Sequence, residues 1–256
     1  MTLKHFLKTI SLATYMLTFS ISFPIQAAGS PAVKVLDVKE KKEFNHIKGV
    51  KIENFAGKVI VDSSGARDAV DVSLEGDAQF LNKITVESKH NGEEKILFIA
   101  YEKGAPIVQD INKVVLTLKM APQMPLDLSL VGGKGDIGPR ATNDTKINIT
   151  GYGDVKVAST QNLTGNIEGS GEITINKIKG DADLFIGGDG TFLINEGTIT
   201  NLKASIKGTG IITIKGDVEN ADLSSDGAGT INLVKVKNTL KQSTSGAGKI
   251  NITGTK

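Results

Sequence analysis

Asp136, Asp154 and Glu172 each follow a Gly-x-Gly triplet, and each lies 18 residues from the next. If the triplets occupy one edge of a repeating structure, the three carboxylates line up along it. Like charges on neighbouring rungs repel, and a hard cation such as Ca²⁺, which takes several carboxylate and carbonyl oxygens, would offset that repulsion. The plainer account is that each carboxylate accepts a turn N–H or faces water, where repulsion is screened; whether the row binds a metal stays open. A calcium-roll nonapeptide, G-G-x-G-x-D, is approached by Gly132-Gly133-Lys134-Gly135-Asp136-Ile137, but the acid falls one place early. Three large side chains add contact chemistry, since exposed rings and apolar groups can stack on sugars. Tyr152 stands inside its triplet, Phe185 lies between Leu184 and Ile186, and Leu193 lies between Phe192 and Ile194. Asp136, Asp154, Glu172, Tyr152, Phe185 and Leu193 are therefore the candidate binding residues. Thr174, Thr213, Asn232 and Asn251 form a further outward row that could bind sugars, but a solvated face is the plainer account.

Catalysis on such a scaffold needs a carboxylate pair, or a base with a basic partner, in a groove. The repeat region holds scattered Asp and Glu but a single arginine, Arg140, while His46 and His90 have no evident Ser or Asp partner. No catalytic residue is assigned, and no cofactor is expected. With no cysteine, thiol nucleophiles, thiolate metal sites and disulfides are excluded. The glycine loops lack the G-x-x-x-x-G-K-[ST] spacing of a phosphate cradle. A net charge of +2 and three histidines argue against nucleic-acid binding.

What would position these residues is the recurrence of the triplet itself. Gly133, Gly151, Gly169, Gly188, Gly208, Gly227 and Gly246 open seven copies, spaced 18, 18, 19, 20, 19 and 19 residues apart. After most copies apolar residues stand at alternate positions, as in Val155/Val157, Ile173/Ile175, Phe192/Ile194 and Ile212/Ile214. A fixed period carrying period-2 alternation predicts a solenoid whose unit is one coil of short strands. Glycine suits corners that must turn sharply and stack closely. No proline follows Pro139, as uninterrupted ladders require.

Aligned on the first glycine, two rows read inward: Ile149, Ile167, Ile186, Ile206, Ser225, Thr244, and Thr145, Leu163, Ala182, Leu202, Ala221, Leu240. The interleaved row Lys146, Thr164, Asp183, Lys203, Asp222, Lys241 reads outward. Its last four members alternate in sign, as an in-register stack with rungs about 4.8 Å apart favours. The predicted fold is all-β: one single-stranded parallel β-helix, right-handed by the general preference of parallel crossovers.

Ahead of the repeat, residues 1–29 read as a signal peptide, with Lys4 and Lys8, an apolar run from Ile10 to Ile25, and Ala27-Ala28-Gly29-Ser30 as cleavage region. The alternative is a membrane anchor. No later stretch is long and apolar enough to span a membrane as a helix. Residues 30–43 read as a flexible lead-in. Residues 44–130 carry longer alternating strands, expected as larger, irregular coils with an antiparallel hairpin at Asn91-Gly92. Residues 131–254 carry the regular coils.

Across 44–254 the chain resembles the head-GIN domain family of exported bacterial proteins. The resemblance rests on Phe44-Asn45-His46-Ile47-Lys48-Gly49-Val50, on Leu81-Asn82-Lys83-Ile84 with Lys95-Ile96-Leu97, on Leu126-Asp127-Leu128-Ser129-Leu130-Val131-Gly132-Gly133, and on the repeated G-x-G-[DE]-hydrophobic unit. It implies a β-helix without enzymatic activity and an adhesin-like surface role. The acidic position becomes Thr191, Ile211, Thr230 and Lys249 in later copies, so a role for the acidic row would stop at the third. The functional expectation is an exported, non-enzymatic binding or structural protein of the bacterial cell envelope, periplasmic or surface-located. It would present a repetitive flank to a surface glycan or an envelope protein. The alternatives are a carbohydrate-active lyase or hydrolase, and a scaffold that assembles into homo-oligomers through the solenoid end.

Overall fold

The computed structural model describes residues 38–104, 110–140 and 144–254. They belong to the unit Leu36–Lys256; residues Met1–Val35, with the expected signal peptide, lie outside the described residues. No helix among the described residues is long and apolar enough to cross a membrane.

Nine strands follow one another through the repeat: β7 (Leu126–Arg140), β8 (Thr145–Thr160), β9 (Leu163–Ile167), β10 (Ser170–Ile186), β11 (Thr191–Ile206), β12 (Ile211–Gly227), β13 (Thr230–Val236), β14 (Leu240–Gly246) and β15 (Lys249–Ile252), numbered after six that precede them. Every pairing among them is parallel. Leu126, Thr145, Leu163, Ala182, Leu202, Ala221 and Leu240 are successive rung partners and open seven stacked coils. The fold is the expected β-solenoid. Several strands exceed the short segments predicted, because the ladder continues around corners with only a register shift, as between Gly180 and Ala182.

Both inward rows are correct until the last coil. Ile149, Ile167, Ile186, Ile206 and Ser225 are fully buried, whereas Thr244 and Leu240 are exposed because nothing described stacks above them. Within the repeat the buried core is aliphatic but for Phe192, which is fully buried and reaches the space left by Gly165.

The glycine corners stack, with one correction. A Cβ on Gly169 would lie 1.9 Å from the carbonyl oxygen of Gly151, one on Gly188 2.4 Å from that of Gly169, and one on Gly208 2.2 Å from that of Gly188. The first triplet is out of step. Gly133 pairs with Gly153, not Gly151, and beneath it with Gly57. Here the spacing between rungs is 20 residues, not 18, because the register shifts between Leu130 and Gly132.

The N-terminal half departs further from its expected form. Strand β2 (Gly49–Asp62) is a parallel rung beneath β7. Its two faces are extended by β1 (Val38–Asn45), β3 (Ala69–Gly76) and β6 (Val114–Met120), in the order β1-β3-β6-β2, and by β4 (Ile84–Asn91) and β5 (Glu94–Tyr101). The β4–β5 pair is the antiparallel hairpin expected at Asn91-Gly92, and the β1–β3 and β3–β6 pairs, which join strands distant in sequence, are antiparallel as well. For the hairpin the physical reason is loop length: a two-residue turn at Gly92 can only reverse the strand, whereas parallel return needs a long crossover. Residues 38–43, expected within the flexible lead-in, pair along β3 from Val38↔Gly76 to Glu43↔Asp71 and are part of a strand. Alternating Lys and Glu gave no turn or burial signal there, but an edge strand tolerates charge.

Candidate functional site

The six candidate binding residues do not form one site. The row of three carboxylates is broken by the same two-residue offset that displaces Gly133. Asp136 has Lys156 as rung partner and lies 3.8 Å from Lys58 Nζ. Asp154 has Lys134 below and Glu172 above. Only Asp154 and Glu172 are neighbours, and the Glu172 carboxylate accepts from Thr174 Oγ1 at 2.7 Å. Among the described residues no three Asp, Glu, His or Cys side chains gather as a metal-ligand set. The premise of a cation-binding row of three therefore fails on geometry: its first member is out of register with the other two and already pairs with Lys58.

Leu193 stands half-buried on the same face, in the row Asp136–Lys156–Thr174–Leu193–Thr213–Asn232–Asn251. The predicted Thr/Asn ladder is present in part, with Asn251 Nδ2 donating to Asn232 Oδ1 at 2.9 Å. Tyr152 lies at the glycine corner, 47% exposed, with its ring over Gly132. Phe185 lies on the face before that corner, half-buried, with Lys207 Nζ 5.8 Å from its ring centroid.

That earlier face carries the most regular outward chemistry. Asp127, Lys146, Thr164, Asp183, Lys203, Asp222 and Lys241 are successive rung partners, as the sign alternation predicted. Lys146 lies 3.8 Å from Asp127 and Lys203 4.0 Å from Asp183. Exposed pairs of this kind contribute only a few tenths of a kcal/mol each, so their effect is to fix register and give the face alternating charge. Beside them runs Ser129, Asn148, Asn166, Phe185, Ser205, Ser224, Ser243.

At the edge of this face is a column that the sequence reading missed: Asp144, Asn162, Asp181, Asn201, Asn220 and Thr239, each seven residues before a first glycine. Asn162 Nδ2 donates to Asp144 Oδ1 at 2.8 Å, and Asn162 Oδ1 accepts the backbone N–H of Asp181 at 2.8 Å. Asp181 Oδ1 in turn accepts from Asn201 N and Nδ2, and Asn220 Oδ1 accepts from Thr239 N. The corner breaks the backbone ladder, and side-chain amides and carboxylates satisfy the N–H groups left over. The signal was available at the same period, but Asn and Asp read as ordinary turn residues. Replacing Asn162 by alanine is expected to cost about 1–2 kcal/mol by orphaning the Asp181 N–H. Asn166→Ala, which removes no bond to the backbone, should cost less in chemical denaturation; equal losses would discount the ladder. Between this column and the charged row lies an open groove of about 420 Å³ lined by Asn162, Asp181, Asn201, Asn220, Lys203 and Lys241 among others.

No family model matches the chain, and no curated protein does. Solved structures do. A crystal structure of an adhesin candidate from Bacteroides fragilis is similar at TM-score 0.58 and 20% identity, covering 84% of this chain and 96% of that one. Adhesin candidates from Parabacteroides distasonis and Parabacteroides merdae are similar at TM-scores 0.54 and 0.50, with 18% and 14% identity. The shared coverage is 84% and 85% of this chain and 96% of each of those. At this identity the likeness concerns the fold.

Proposed function

We propose that this chain is an exported, non-enzymatic binding protein of the bacterial cell envelope or surface, whose partner is an extended glycan lying along the coils. The observation that carries the reading is the outward face of alternating Asp and Lys beside the Ser/Asn row and the corner groove. These chemical groups recur at the inter-strand spacing of about 4.8 Å. An extended polymer can meet an outward polar or charged group on successive rungs, so weak contacts add along its length. Amides, hydroxyls and balanced charges suit a hydroxyl-rich chain, and Phe185 offers the one ring on this face for stacking. The adhesin candidates of similar fold agree with a surface role.

An array of linear and branched glycans, probed with the chain from residue 30 onwards, tests this. Retention should favour linear polymers and grow with their length, and Phe185→Ala should weaken it about tenfold, equivalent to ~1.4 kcal/mol. No retention on any glycan, or release of new reducing ends by the protein, would count against it. The second outcome favours the carbohydrate-active enzyme.

One observation favours a second reading, a scaffold assembling end to end. All of Leu240–Gly246 in β14 is exposed, and its outer edge has no strand paired to it among the described residues. Unpaired edges recruit further strands. Light scattering that rises with concentration, and is abolished by a proline at Ser243, would support it.

A further inference from the structure

The interior of the stack is apolar except at one corner and at Ser225. Among the described residues the buried polar or charged side chains are Arg140, Thr145, Thr160 and Ser225, and the first three stand together. Arg140 and Thr160 are rung partners, and Thr160 Oγ1 hydrogen-bonds Thr145 Oγ1 at 2.9 Å across the coil. Arg140 has no exposed surface, and neither its Nε nor its two Nη atoms has a hydrogen-bond partner among the described residues. Another buried, unpartnered polar atom, Ser63 Oγ, sits against Gly138, two residues before Arg140. Above this corner Ile178, the rung partner of Thr160, is buried, and in the coils beyond so are the successive rung partners Ile199, Val218 and Val236.

An ionised guanidinium sealed among apolar side chains is strongly unfavourable unless something of opposite sign meets it. Burial pushes its pKa down to about 10, which still leaves it a cation at neutral pH. It therefore carries five N–H donors and one positive charge into the interior. Thr160 gives its hydroxyl proton to the Asn162 carbonyl at 2.9 Å, so Thr145 donates to Thr160 Oγ1 and neither hydroxyl has a proton to spare. The surplus donors at this corner are those of the guanidinium alone, which meets no acceptor among the described residues, as an empty anion site would leave it. The zero exposure of Arg140 leaves no route for a ligand with a tail.

We propose that the Arg140 guanidinium holds a small monovalent anion of the halide class inside the first two regular coils, bound as the coils close over it. Such an ion binds the folded chain and not the unfolded one, so stability rises with its concentration. A crystal grown with bromide as the sole halide should show an anomalous peak in contact with the Arg140 guanidinium. A guanidinium met by protein oxygens alone, with no peak, overturns the proposal. In solution, replacing gluconate by bromide at constant ionic strength should raise the wild-type melting temperature by several degrees and leave Arg140→Met unmoved. An equal rise in both proteins also overturns it. If Arg140→Met does not fold, the crystallographic result decides.

Discussion

Gly169→Ala is expected to destabilise the protein by about 3 kcal/mol, lowering its melting temperature by roughly 10 °C. The added methyl would sit 1.9 Å from the Gly151 carbonyl oxygen, 2.8 Å from its carbon and 3.1 Å from its Cα. These are backbone atoms of the coil below, so no side chain can swing aside. The two coils must separate at the corner, and the hydrogen bonds that close it, including Glu168 N to Ile149 O at 2.8 Å, separate with them. In a stack where each unit touches only its neighbours, a break in the middle also divides the whole. Unfolding should therefore lose cooperativity as well as midpoint. Gly92→Ala is the comparison. Gly92 has φ +66° and nothing within 4 Å of an added Cβ, so its cost is only the left-handed backbone, about 1 kcal/mol. Calorimetry on the two variants that ranks Gly92→Ala as the more damaging would refute a stack held by close corners.

Phe192→Ala should cost about 3–5 kcal/mol, the range for emptying a fully buried ring. Its neighbours cannot collapse into the space, because Ile173 and Ile212 on the adjoining rungs are pinned by parallel ladders. The ring edge occupies the volume that a side chain at Gly165 would take: a Cβ there would lie 2.5 Å from Phe192 Cε1. The two positions are complementary across the interior, one large and one absent. Gly165→Val alone should therefore destabilise by overpacking. Combined with Phe192→Ala it should recover at least about 1 kcal/mol of the summed losses, since contacting sites couple. Additive losses in a denaturant-melt cycle would mean that the two do not share that volume.

Gly165 also marks how far the sequence could be read. It belongs to an inward row, Leu128, Ile147, Gly165, Leu184, Ala204, Leu223, whose irregular sizes obscure it when read as a column. Only coordinates show that a ring from the coil above fills the gap. The rows of uniform type, such as Ile149, Ile167, Ile186 and Ile206, were legible because parallel in-register stacking places like residues together. The outward alternation of Asp183, Lys203, Asp222 and Lys241 was legible for the converse reason, since opposite charges on adjacent rungs attract.

The amino-acid sequence by itself determined the repeat, its glycine corners and the inward and outward sense of each row from the second coil on. These follow from local steric and solvation preferences recurring at a fixed period. Tertiary structure alone decided the register where the period changes. A two-residue slip at Gly133 pairs Asp136 with Lys156 and dissolves the expected row of three carboxylates. It also decided the antiparallel sheets around β2, because alternating strands carry no record of which neighbour they will pair with. The enclosure of Arg140 was settled in the same way. One arginine beside a proline reads as a surface residue, and only the closing of one coil over another takes its charge out of water.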